Sequence, residues 1–319
     1  MNRLIGFVIV LAALIAAGAE AADWPTKSVR VVVPFAAGGA ADTIGRVYAE
    51  ALSAAFGKPF YIDNRVGAGG LVGAAAVARA EPDGNTLLIS GIPVLVLGPA
   101  MTDHPGFDPM HDLTHIGYFG GTPNVLVVHP TLDVRTYPQF LALARSPDGL
   151  DYVSAGFGTM GNWVAEYLAM KENINLTHVP HRATPQAILD LLAGRVKVGM
   201  FTWSTVAQHI RAGSLLPLVV SSSARLAYLP DVPTLRELGH VDFVATAWYS
   251  LSAPAGLSDS IASRLNRKII AAMDTPQVRK QIEQDAIEAK PMTPSELTQF
   301  ISLEIGRWQP LIKRVLSAK

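Results

Sequence analysis

The stretch VVVPFAAGGAADTIGRV, Val31 to Val47, returns in outline about 120 residues later as LDYVSAGFGTMGNWVAEYLAM. Each copy is a short apolar run, then glycines, then apolar residues at helical spacing, which reads as a buried strand, a tight turn and a helix. A strand that feeds a helix in this way belongs to an α/β layer, so two copies predict two such layers. Further apolar runs bounded by turn residues fit the same scheme: Val29 to Val33, Phe60 to Asp63, Thr86 to Ser90, Tyr152 to Ala155, Thr177 to Val179, Val198 to Phe201 and Leu216 to Val220. Parallel sheets are the expectation.

The helix after the first turn places Ile44, Val47, Tyr48, Ala51, Leu52 and Ala55 on one face, and Gly57 with Pro59 ends it. After the second turn, Met160, Trp163, Val164, Tyr167 and Leu168 share a face. GGTPNVLVVHPTL, Gly120 to Leu132, reads as a strand crossing between the halves, and Trp248 to Ala253 as the strand that returns. Pro294 to Leu316 reads as a last helix with Leu297, Ile301, Ile305, Trp308, Ile312 and Leu316 inward, and Pro310 marks the place for a kink.

The chain opens MNRLIGFVIVLAALIAAGAEAADW: Arg3, an apolar run from Leu4, and small residues at Ala19 and Ala21. That is the pattern of a secretory signal peptide, too short and wrongly flanked for a membrane span. Export and an oxidising compartment follow, and the absence of cysteine means that a core of about 300 residues holds without disulfides. With 16% charged residues and a formal net charge of zero, no basic patch asks for a nucleic acid.

GFGTMG, Gly156 to Gly161, matches the dinucleotide fingerprint after a strand, but LTHVPHRATPQA downstream lacks the acidic residue that would hold a ribose. GAGGLVG, Gly67 to Gly73, is a third glycine turn entering a helix, again without the lysine that phosphate needs. A carboxylate needs only a few backbone donors and a hydroxyl, so three such turns at strand ends point to a small acid. His104, Asp108, His111, Asp112 and His115 crowd one segment, yet Pro105, Gly106 and Pro109 break the helix that would align them on a metal, and a solvated loop is expected. No nucleophile elbow is present. The rival classes are a secreted hydrolase or metal enzyme and a ligand sensor.

In order and spacing, WPTKSVRVVVPFAAGGAADTIGR, DNRVGAGGLVGAAAVARAEPDGNTLL, FDPMHDLTHIG, PNVLVVHP, SAGFGTMGN, HVPHRATPQAILDLLAGRVKVGM, LPDVPTLRELG and SAPAGL resemble the extracytoplasmic solute receptors of tripartite tricarboxylate transporters, the Bug or TctC-like family. The resemblance covers the whole mature chain. It implies a type II-like periplasmic-binding-protein fold, α/β, with two lobes and a ligand cleft between them. After a signal at 1–21, lobe 1 is expected at 22–123 with 246–319 and lobe 2 at 124–245. A monomer without catalytic activity or cofactor is implied, one that hands a small organic carboxylate to the membrane components of its transporter.

Carried onto this sequence, the first turn supplies Phe35, Ala36, Ala37, Gly38 and Gly39, and the second Ser154, Ala155, Gly156, Gly158 and Thr159. Asp42, in the first helical turn, reads as structural. Ser90, at the third strand, and Trp203, near the predicted cleft, are also expected in the site, while Asn162, His181, Arg182 and Thr202 stand where this chain departs from the family. Thr202 replaces an aspartate common in the family, which argues against an amino acid ligand. Ile92, Pro93, Val94 and Trp203 favour an apolar or aromatic ligand body, so a dicarboxylate or aromatic carboxylate is expected.

Overall fold

The computed structural model describes residues 24–181, 184–241 and 243–317, so the signal segment lies outside it. Strand β1 (Val29–Val33) runs parallel to both β2 (Phe60–Asn64) and β3 (Thr86–Gly91). Four of its valines are buried, as an interior strand covered on both faces requires. Helix α1 (Ala40–Phe56) follows β1 and stops where Gly57, at φ 67°, turns its N–H back to the Ser53 carbonyl. Helix α2 (Leu71–Ala78) joins β2 to β3.

Strand β4 (Leu113–Val128) is the crossing strand, and it begins seven residues earlier than the sequence suggests. From Leu113 to Pro123 it pairs antiparallel with β9 (Thr246–Pro254); from Asn124 to Val128 it pairs instead with β7 (Val198–Thr202). Its other edge there takes β8 (Leu216–Val220), also antiparallel. The second sheet is completed by β5 (Leu150–Ser154), parallel to β7 and to β6 (Leu176–His178). The expectation of purely parallel sheets is thus corrected at β4, β8 and β9. A return strand beside an outgoing one must run the opposite way, and β9 is that return.

Helices α3 (Tyr137–Ala144), α4 (Met160–Glu172), α5 (Thr184–Leu192) and α6 (Trp203–Arg211) belong to the second half; α7 (Asp259–Ala272) and α8 (Pro276–Gln284) pack back towards the first. Helix α9 (Pro294–Ser317) touches β4, the helical turns after β3 and α4, so it braces both halves. It buries Leu297, Ile301, Trp308, Ile312 and Val315. Val315 takes the inward place expected of Leu316, which is exposed, and Pro310 lies within one continuous helix.

Two glycines test this packing in opposite directions. A Cβ at Gly161 would collide with the Met200 carbonyl, so α4 lies against β7 only because that side chain is missing, whereas a Cβ at Gly306 of α9 would meet nothing within 4 Å. Urea denaturation should therefore show Gly161→Ala destabilised by roughly 1–3 kcal/mol and Gly306→Ala stabilised by about 0.5–1 kcal/mol.

Candidate functional site

The two turns seen in the sequence have the same local structure. Gly38 and Gly158 sit at φ 79° and 78°, a left-handed region that glycine enters without strain. In each turn the next residue caps the helix in extended conformation, Gly39 for α1 and Thr159 for α4. The Gly39 N–H donates to the Ala36 carbonyl at 3.4 Å and the Thr159 N–H to the Gly156 carbonyl at 3.3 Å. One turn into each helix, a side chain reaches back to the glycine: Gly38 N–H to Asp42 Oδ2 at 2.9 Å, Gly158 N–H to Asn162 Oδ1 at 3.0 Å.

These fastenings redistribute the donors that the sequence assigns to a ligand. The N–H groups of Gly38 and Gly158 are occupied by their own helices. The orphan donors of each turn are the first N–H groups of α1 and α4, which no helical carbonyl can reach and which carry the positive end of the helix dipole. Each turn therefore offers an anion a neutral array of donors.

Asp42 is buried, and its carboxylate has four donors: Gly38 N–H, both arms of the Arg46 fork at 2.9 and 3.0 Å, and the Asn64 amide at 2.9 Å. Burial acts to raise its pKa, but Arg46, Gly38 and Asn64 outweigh it and hold the carboxyl below the ordinary range. The same Asn64 amide bonds the Phe35 carbonyl at 3.0 Å, so the end of β2 ties both sides of the first turn. In the second turn Asn162 does the work of Asp42 without a charge, its amide donating to Tyr152 Oη at 2.7 Å.

Ser154 lies at the base of the second turn. Its Oγ donates to the Gly156 carbonyl at 3.1 Å, accepts from the Gly156 N–H at 3.2 Å and meets His178 Nε2 at 2.9 Å. The Thr159 hydroxyl donates to that same carbonyl at 2.7 Å. The sequence reading missed His178, although it stands two residues before Pro180 at the end of β6, where parallel strands bring side chains to one edge.

A cavity of about 630 Å³ opens between the halves. Phe35, Ala68, Gly69, Leu71, Val72, Ala75 and Arg79 form one wall, Pro93 and the segment Gly98 to Gly106 another, and Phe157, Gly158 and Thr159 face them from the second turn. Leu71, Ala75 and Arg79 recur every fourth residue, so one stripe along α2 lines the space. Of the expected site residues, Phe35, Gly158 and Thr159 meet here; Ala36, Ala37, Gly38 and Gly39 lie in the first turn beside Phe35, and Ala155 and Gly156 in the second.

Others are placed elsewhere. Ser90 is buried between β3 and β9, its hydroxyl 2.8 Å from those of Ser250 and Ser252, and Ser252 bonds His115 Nδ1 at 3.0 Å. Trp203 faces the core: it stacks on Tyr228 and donates its indole N–H to the Gln284 carbonyl at 3.0 Å. Ile92 and Val94 are core residues too, and of that group only Pro93 lines the cavity. The His181 ring turns to Asp190, Nε2 to Oδ2 at 2.8 Å, while its backbone carbonyl lies near Gly156. Thr202 caps α6 with its hydroxyl bonded to Ser204 and Thr205. Arg182 lies outside the described residues. In the histidine-rich segment His104 lines the cavity and His111 pairs with Asp108 at the surface; among the described residues no cluster suits a metal.

Three comparisons bear on this geometry. The model of the tripartite tricarboxylate transporter family receptor matches residues 44–316. Protein BugT of Bordetella pertussis is 31% identical over 317 residues, covering 98% of this chain and 97% of that protein. Among solved structures, the periplasmic binding protein BugD superposes with a TM-score of 0.83 at 26% identity, covering 92% of this chain and 98% of BugD. MatC from Rhodopseudomonas palustris with bound malate has a TM-score of 0.83 at 30% identity, over 91% and 100% of the two chains. An R. palustris protein with adipate has 0.85 at 28%, over 92% and 98%. The fold is that of the periplasmic binding proteins.

Two substitutions probe the buried polar groups. Asp42→Ala should cost about 1–3 kcal/mol at pH 7; because the folded pKa of Asp42 is depressed, that difference should fade as pH drops below about 4. Burial pushes His115 down to about 4 from 6.5, the Pro109 carbonyl offsetting part of it. Between these values the unfolded chain binds a proton that the native state refuses, so stability should fall by about 3 kcal/mol as pH drops from about 6.5 to about 4. His115→Gln should remove that slope in pH-dependent melts.

Proposed function

Because the chain belongs to the tripartite tricarboxylate transporter family of receptors, we propose that it captures a small organic carboxylate between its two glycine turns and delivers it to the membrane components of such a transporter. The observation that carries this reading is the equivalence of the turns: each ends a strand, opens a helix and presents backbone donors without a lysine or arginine in the loop itself. A carboxylate matches that donor set in charge and in lone-pair geometry. Relatives with adipate and with malate support the ligand class, and the apolar wall of Phe35, Leu71 and Phe157 supports a dicarboxylate or aromatic carboxylate.

Lobes at 22–123 with 246–319 and at 124–245 fit the point where β4 changes sheets. The first residues read as an export signal, and among the described residues no helix is long and apolar enough to cross a membrane, so the mature receptor works in the periplasm. It acts as a monomer. A ligand touching both lobes favours the closed arrangement by mass action. Phe35 to Gly39, and Ser154 to Gly156 with Gly158 and Thr159, shape the two turns that grip the ligand, and the donors left free for it are the first N–H groups of α1 and α4; Asn162 holds its turn in shape, and the His181 carbonyl borders it.

A thermal-shift screen of the mature protein against mono-, di- and tricarboxylates is the direct test, since a ligand of the native state raises its melting temperature. At least one carboxylate should do so, and a response to sugars or cations alone would refute the proposal. In Thr159→Ala that carboxylate should bind more weakly by roughly 1–3 kcal/mol, with the free protein still folded; unchanged affinity takes Thr159 out of the site.

A further inference from the structure

Phe157 projects from the second turn with 57% of its surface exposed. It lines the cavity together with Leu71 and Val72 of α2, and Val72 is itself 55% exposed. Met101 comes from the first half to the same place. A Cβ built on Gly158 would lie 3.1 Å from Met101 Cε and 3.3 Å from its Sδ, so the thioether rests on the bare face of the glycine. Phe35 is held in line by Gly70, whose missing Cβ would stand 3.2 Å from its ring. These apolar groups thus converge on the turn that offers the donors.

Among the described residues no aspartate or glutamate lines the cavity, and the titratable side chains there are Arg79 and His104. An amine would find no partner there. A hydroxyl on the part of the ligand body that rests against Phe157, Met101 and Leu71 would give up water without a replacement hydrogen bond from those three side chains; the polar side chains of the lining are Thr102, Thr159, Arg79 and His104. Plain hydrocarbon gains from the same surfaces.

We infer that this cavity selects carboxylates with an extended, unhydroxylated hydrocarbon body, aliphatic or aryl, and that Phe157 and Met101 enforce the choice. The inference rests on the carboxylate-receptor reading and narrows it. Phe157 determines specificity from the second lobe and Met101 from the first, so the body of the ligand is sensed only where both walls meet.

Calorimetric titration of the mature protein with adipate, phenylacetate and malate tests it. Adipate or phenylacetate should bind at least about tenfold more tightly than malate, a difference of ~1.4 kcal/mol. Phe157→Asn should shrink the gap to within about threefold, ~0.7 kcal/mol, and Phe157→Leu should keep most of it. The ring is exposed, so neither variant should lower the melting temperature of the free protein. Malate binding as tightly as adipate and phenylacetate to the unaltered protein would overturn the inference and leave the receptor reading intact. So would a gap that survives both Phe157→Asn and Met101→Thr. Silence towards adipate and phenylacetate would overturn the inference as well, while the receptor reading stands or falls with the wider carboxylate screen.

Discussion

Pro123 and Asn124 are neighbours on one strand, yet their pairing partners lie in different sheets. Thr246 returns the chain at the same level, opposite Pro123. This shared pair of strands fixes how the halves face each other. The carboxyl ends of β1 and β5 carry the two glycine turns, and the cavity lies between them. Helix α9 braces the arrangement from outside by packing on β4 and on α4.

Given that frame, the turns differ in one informative way. Both spend a glycine N–H on a side chain four residues on, which locks the left-handed glycine and leaves the first helical N–H groups pointing outward. The first uses a carboxylate, Asp42, and the buried charge is tolerable because Arg46 pairs with it in a fork. The second uses the neutral Asn162, beside Phe157 and the Thr159 hydroxyl. An uncompensated negative charge at that point would oppose any anion in the cavity. The repeat therefore preserves a geometry, and the local charge is adjusted to what stands around it.

The strand–turn–helix units were legible in the sequence because glycine, apolar period and helix stop all agreed there, and Gly57 ended α1 as its sequence required. The first seven residues of β4 were not legible. Leu113 to Gly117 closes a segment rich in His, Asp and Pro, whose composition reads as a solvated loop; yet all but one of these residues are buried because β9 covers them, a partner more than 120 residues away. Ser90 was misplaced for a related reason. On a strand buried on both faces, alternation gives no sign of which face meets a ligand, and only the antiparallel register of Ser90 with Ser250 shows where the hydroxyl goes. Trp203 needed Tyr228 and Gln284 to be identified as core. His178 needed Ser154, and Phe157, overlooked between two glycines of a recognised turn, became meaningful only through Met101 and the wall of α2.

Backbone amide shifts recorded while adipate is titrated into the uniformly labelled mature protein test the two-turn grip most directly. If both turns hold one ligand, amides at the start of α1, around Ala40 to Asp42, and at the start of α4, around Met160 to Asn162, must move together along a single saturation curve. Saturable binding that moves only one of these groups, or neither, would contradict it.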